Sequence, residues 1–136
     1  MRFPTKIAVA VRDDLETWQR VNVTAFLAGA VAGAHPAAIG EPYEDGSGNR
    51  YLPTFREPVL VYAGPATVLE RCRTRALTRG LATAIYTMPM FETDNDDDNR
   101  AVVRAVAAGE LDLAGVAVYG ERAAVDRVFD KIRLHP

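Results

Sequence analysis

An α/β sandwich with a partly parallel sheet is the fold the sequence predicts, and three observations carry it. Lys6–Val11, Val59–Tyr62, Ala82–Thr87 and Leu113–Tyr119 are short runs rich in apolar and β-branched residues, the pattern of buried strands. Stretches of helical spacing separate them, as parallel pairing requires. The junctions hold residues that stop helices and strands, such as His35-Pro36, Gly80 and Met88-Pro89-Met90. No repeat or linker divides the sequence, so residues 1–136 read as a single domain, long enough to bury roughly two thirds of its unfolded surface.

After the first strand, Asp13 or Asp14 is placed to cap a helix running to about Ala34. Leu15, Trp18, Asn22, Ala25, Gly29 and Ala32 recur at steps of three and four and read as its inward stripe. Val23, Leu27, Ala30 and Val31 make the flank apolar too, so the second half reads as buried almost all round. Gly29 and Gly33, one turn apart, would admit a close backbone from the sheet or a partner helix. The apolar stretch Val23–Ala34 is about half of the roughly 20 residues a membrane helix needs, so no membrane role is expected.

His35-Pro36 ends the helix, because the residue before proline avoids helical torsions. Gly40–Arg50 is dense in turn formers and reads as an exposed loop or hairpin tip. Ala66–Arg79 reads as a helix closed by Gly80 in a left-handed cap. The acidic run Thr93–Asn99 opens a third helix, expected to continue to about Ala108. Ala123–Phe129 is the last helix, and Ile132–Leu134 a short closing segment.

Composition narrows the function classes. Apolar residues make up 49% of the chain and charged residues 25%, with a net charge of -2. No bulk attraction to nucleic acid or acidic lipid follows from that balance. The single cysteine, Cys72, forms no internal disulfide and fits a reducing compartment, and the apolar run near the N-terminus is too short for a secretory signal. The cytoplasm is expected.

Most familiar chemistries lack their residues. The only serine, Ser47, lies between glycines in the turn-rich loop, far from any nucleophile elbow. Cys72 has Arg71 and Arg73 beside it, which would favour a thiolate, but Leu69 and Ala76 put it on an apolar stripe and make it a packed core thiol. His35, His135 and Cys72 share no ligand spacing, so no metal is expected there. Asp94–Asn99 resembles the start of a calcium loop, but Asn99 and Ala105 stand where such a loop has its glycine and glutamate. Its carboxylates read better as the charged start of a helix. Without a phosphate loop or dinucleotide fingerprint, no cofactor is expected. Arg71, Arg75 and Arg79, at steps of four, read as a solvated helix edge, with RNA binding through this stripe as an alternative.

Four segments carry a family resemblance: R-D-D-L-E-T-W-Q-R-V-N-V-T-A-F-L, I-G-E-P-Y-E-D-G-S-G-N-R-Y, M-F-E-T-D-N-D-D-D-N-R and D-L-A-G-V-A-V-Y-G-E-R-A-A-V-D-R-V. With them the chain resembles the bacterial domain-of-unknown-function 2000 family over nearly its full length. The resemblance implies the three-layer α/β/α sandwich of type II peptidyl-tRNA hydrolases, with a mixed four-stranded sheet. Those hydrolases carry R-x-D-L followed by G-K-x-A-A-Q. Here Arg12, Asp14 and Leu15 match and no G-K pair follows. Arg20 replaces the lysine only if one residue is deleted, which puts Thr24 in place of the glutamine. The hydrolase D-A-G-x-T has no aspartate counterpart in Tyr86–Met90, and G-P-x-x-x-x-D survives as Gly120, Glu121 and Asp126. Two of three landmarks are altered, so peptidyl-tRNA hydrolysis is not expected.

The candidate site therefore falls where the first strand meets its helix. Asp14, Arg20, Asn22 and Thr24 are the catalytic candidates: an arginine with an amide or hydroxyl to polarise a carbonyl, and Asp14 as base. Arg12, Trp18, Tyr86, Thr87, Phe91, Asn99 and Arg100 are candidate substrate-binding residues. Asn22, an amide on an apolar stripe, is expected in a buried cluster with Arg12, Trp18 or Thr24. Such a site suits a small acyl or amide compound of unknown identity, without a cofactor. The alternative is a non-catalytic binding or regulatory homodimer seamed along the first helix.

Overall fold

A computed structural model describes residues 2–136. In chain order, β1 (Thr5–Arg12) leads into α1 (Thr17–Ala34), and a hairpin of β2 (Tyr43–Glu44) and β3 (Arg50–Tyr51) follows. Then come β4 (Val59–Gly64), α2 (Ala66–Thr78), β5 (Ala82–Thr87), α3 (Asp96–Arg104), β6 (Leu113–Glu121), α4 (Arg122–Val128) and β7 (Arg133–Leu134). The described residues form a mixed α/β structure with four α-helices and a mixed sheet in the order β5-β6-β1-β4-β7. β1 and β4 run parallel, Ile7 beside Val59, while β6 is antiparallel to both β1 and β5.

Where four principal strands were expected, the sheet has five. Arg133 and Leu134 pair antiparallel with Ala63 and Tyr62 on the open edge of β4. A two-residue strand is too short to show a period of two.

β1 divides the core by the alternation of its side chains. Ile7, Val9 and Val11 face α1, which returns Val23, Leu27 and Val31. Ala8 and Ala10 face the other way, toward Leu69, Cys72 and Ala76 of α2 and Val125 and Val128 of α4. Cys72 is fully buried among them, and burial pushes its thiol up to about 11 despite the nearby Arg71 and Arg75.

The inner stripe of α1 thus differs from the expected one. Its apolar residues are spread round the helix, so spacing alone does not select a face, and the large side chains at steps of four win the sheet. Gly29 and Gly33 are exposed, with nothing within 4 Å of an added Cβ, so no other element among the described residues packs closely on them. The close approach is at Gly115 on β6, where a Cβ would sit 2.4 Å from Val23 Cγ1 and 2.9 Å from Leu27 Cδ1.

The start of α1 also moves. Neither Asp13 nor Asp14 caps it. The Asp13 amide donates to the Gly64 carbonyl at 3.0 Å, and the Asp14 carboxylate is taken by Arg12. The chain makes one further turn, and Glu16 becomes the cap residue, its amide donating to Gln19 Oε1 at 3.0 Å. At the end of α2, Gly80 takes the expected left-handed torsion (φ 66°), with Gly80 donating to Leu77 O and Leu81 to Ala76 O. α3 ends at Arg104, short of Ala108, and a tight turn occupies Ala108–Glu110. Among the described residues no helix is long and apolar enough to cross a membrane.

Candidate functional site

α1 lies on the sheet with a groove along each flank, and the candidate residues divide between them. The first groove, about 670 Å³, lies between α1, the end of β5 and the segment 88–99. Helical spacing puts Trp18, Asn22 and Phe26 on this flank at steps of four. Tyr86 comes from β5, Phe91 from the turn Met88–Glu92, and Asn99 from α3. The turn is held at its base, where the Met88 amide donates to the Asp112 carbonyl at 2.8 Å. Asn95 caps α3 by accepting from the Asp98 amide at 2.8 Å, which presents Asp94, Asp96 and Asn99 on the groove's rim.

Four rings form a continuous wall. Trp18 meets Phe91 edge to face at 5.7 Å, Phe91 lies 5.0 Å from Tyr86, and Tyr86 lies 5.5 Å from Phe26. Tyr86 is almost fully buried, and burial raises its hydroxyl pKa while the facing Asn22 amide works in the opposite direction. Thr93 Oγ1 donates to Asn99 Oδ1, fixing the amide's carbonyl end. Among the described residues no lysine, arginine or histidine lines this groove, whereas Asp94 and Asp96 do.

Arg20 and Thr24 sit on the opposite flank, in a second groove of about 620 Å³ with Val21, Phe55, Val61 and His135. Two residues along a helix turn the side chain about 200°, so Thr24 points away from Asn22. Arg20 closes the β1–α1 corner by donating to the carbonyls of Leu15 at 2.9 Å and Asp13 at 2.8 Å. Thr24 Oγ1 donates to the Arg20 carbonyl at 2.7 Å. Arg12 clasps Asp14 through Nε at 2.8 Å and Asp112 through Nη1 at 2.6 Å. Its guanidinium holds the exposed Asp14 carboxyl below the ordinary carboxylate range.

The expected catalytic group of Asp14, Arg20, Asn22 and Thr24 is therefore not one constellation. Trp18, Asn22, Tyr86, Phe91 and Asn99 do come together. Thr87 is buried at the strand end and does not line the groove, and Arg100 is paired with Asp96 and Asp97 on the outer side of α3. Asn22 is half-buried and does not hydrogen-bond Arg12, Trp18 or Thr24; Trp18 Nε1 donates instead to Glu16 Oε2 at 2.8 Å. Phe26, Thr93 and the Asp94–Asp96 rim were missed by the sequence reading. The signal for the rim was the acidic run, read from the sequence as a helix start in preference to a calcium loop.

The family described as "Protein of unknown function (DUF2000)" matches residues 5–136. Among solved structures, a protein of unknown function from Agrobacterium tumefaciens str. C58 is similar at 38% identity with a TM-score of 0.96, over 99% of this chain and 100% of that one. No curated protein matches the chain.

Proposed function

The chain belongs to this family of proteins of unknown function, and from that premise we propose that it binds a small, flat, neutral or cationic molecule in the groove between α1 and residues 88–99. One observation supports this above the rest: four aromatic rings and the unpaired carboxylate of Asp94 converge on a groove that, among the described residues, no basic side chain lines. Ring faces carry negative quadrupole charge and favour stacked rings and cations. Asp94 adds to that preference and disfavours a carboxylate or phosphate, whereas Asp96 is already paired with Arg100. Asn22 and Asn99 supply amide groups that read a hydrogen-bonding edge, as in an amide or amidine. The groove's 670 Å³ lies within the range of small-molecule sites.

Binding fits this geometry better than catalysis on a small acyl or amide compound. A general base needs a free carboxylate beside the reacting group. Asp14 is engaged by Arg12 and held low, and Arg20 and Thr24 belong to the other flank. We read the fold as that of type II peptidyl-tRNA hydrolases and the location as cytoplasmic, the first on the β1–α1 and β6–α4 segments, the second on the lone thiol. Neither reading brings hydrolase activity with it.

The test is backbone amide NMR with benzamidine, benzamide and benzoate as probes. Benzamidine should shift residues 18–26, 86–91 and 93–99 saturably, benzamide less, and benzoate not at all. Shifts centred on the Arg20–Thr24 flank, or a preference for benzoate, would refute the reading.

A second reading has its own support, a homodimer seamed along α1. Val21 and Phe26 are more than half exposed, and no charged side chain occurs between Arg20 and the end of the helix at Ala34. A contiguous apolar face of this kind marks an interaction surface.

A further inference from the structure

On the face of the sheet away from α1, α2 and α4 pack side by side and leave a groove of about 400 Å³ lined by Arg75, Arg79, Asp126, Arg127 and Asp130. We infer that Arg75, Arg79 and Arg127 form an anion site that takes the phosphate of a small phosphate monoester.

Three observations converge on it. Arg75 Nη1 is buried and has no hydrogen-bond partner among the described residues. A buried guanidinium nitrogen in that state is costly, and an oxyanion removes the cost. None of the three arginines takes part in an ion pair among the described residues. Asp126 is already neutralised by Lys6 at 2.6 Å, whose ammonium also donates to Tyr62 Oη at 3.0 Å. Three cations thus face one uncommitted carboxylate, Asp130, in a chain whose net charge is negative.

Arginine presents paired N–H donors whose spacing matches two phosphate oxygens. Arg75 and Arg79 stand one turn apart on α2, and Arg127 reaches in from α4. The site is therefore a two-helix corner and not a linear track. Arg71 continues the α2 stripe but does not line the groove. The groove has room for a phosphate with a small carrier.

The test is a titration with inorganic phosphate and with glycerol 3-phosphate, followed by the arginine Nε–Hε NMR signals, with chloride at matched ionic strength as reference. Both phosphates should bind saturably and shift Arg75, Arg79 and Arg127, the monoester at least as tightly. Arg127→Gln and Arg79→Gln, both exposed positions, should each weaken binding about tenfold, the effect of losing a charged hydrogen-bond pair. Arg71→Gln should leave it unchanged, and Arg75→Gln should abolish it in protein whose circular dichroism remains native. Shifts that never saturate, exclusion of the monoester, or equal losses from Arg71→Gln and Arg127→Gln would overturn the site. So would binding of single-stranded RNA through these residues that neither phosphate displaces. The groove on α1 is on the other face of the sheet, so its occupancy stands or falls separately.

Discussion

Trp18 and Phe91 meet edge to face, with ring centroids 5.7 Å apart and planes at 75°. They join α1 to the turn after β5 and close one end of the aromatic wall. Phe91→Ala removes the ring that touches both Trp18 and Tyr86. It is expected to cost about 1–3 kcal/mol, from two lost aromatic contacts, and to shift Trp18 emission to the red. Urea unfolding and the emission maximum check both, and an unchanged spectrum would mean that the rings do not hold each other in solution.

Gly115 is where α1 comes closest to the sheet, and the fit leaves no space for a methyl group. Gly115→Ala is expected to destabilise by about 1–3 kcal/mol through overpacking. Val23→Ala should relieve part of that loss, because the clash is with Val23 Cγ1. A double-mutant cycle in urea measures the coupling. Purely additive losses would show that the helix shifts away instead.

The rotation of α1 is the part of the fold least legible in the sequence, and the reason is physical. The helix is apolar nearly all round, so the stripe Leu15, Trp18, Asn22, Ala25 and Gly29 was as plausible as the observed Val23, Leu27 and Val31. β1 and β6 were legible because unbroken apolar runs have one stable place, inside a sheet covered on both faces. Arg133–Leu134 was not, because its pairing depends on an edge that β4 leaves open. The same rotation governs the site. Trp18 and Asn22 lie on the side of Tyr86 and Phe91, whereas Arg20 and Thr24, neighbours in sequence, lie in the other groove.

Cys72 gives a pH signature. Burial raises its thiol to about 11 from an ordinary 9.0, so the unfolded chain releases this proton first as pH rises. The native state then holds more protons than the unfolded state, and stability falls with pH. The contribution is intact below pH 9 and is lost progressively through pH 11. Subtracting Cys72→Ala urea midpoints from those of the parent, at pH 8 and above pH 10, isolates it from Tyr86 and Tyr51, which shift in the same direction. A difference that does not change with pH would contradict the burial of the thiol.

If α1 forms the seam of a dimer, a charge on its exposed face disrupts it. Ala25 is exposed beside Val21. Ala25→Glu is expected to convert a dimer at micromolar concentration into a monomer by light scattering, with little change in circular dichroism. A parent protein that is already monomeric would remove the seam from consideration.

Trp18 is the only tryptophan, and it lines the proposed binding groove, so its emission reports occupancy directly. The decisive measurement is a fluorescence titration with benzamidine, on the parent and on Asn22→Leu. The parent is expected to give a saturable change that benzoate does not produce. Asn22→Leu is expected to abolish it with native circular dichroism and little change in melting temperature, because Asn22 is only half-buried on the groove wall, where its amide faces the Tyr86 hydroxyl. A titration that responds equally to benzoate, or that is unaltered in Asn22→Leu, would contradict a cation-preferring small-molecule site on this flank of α1.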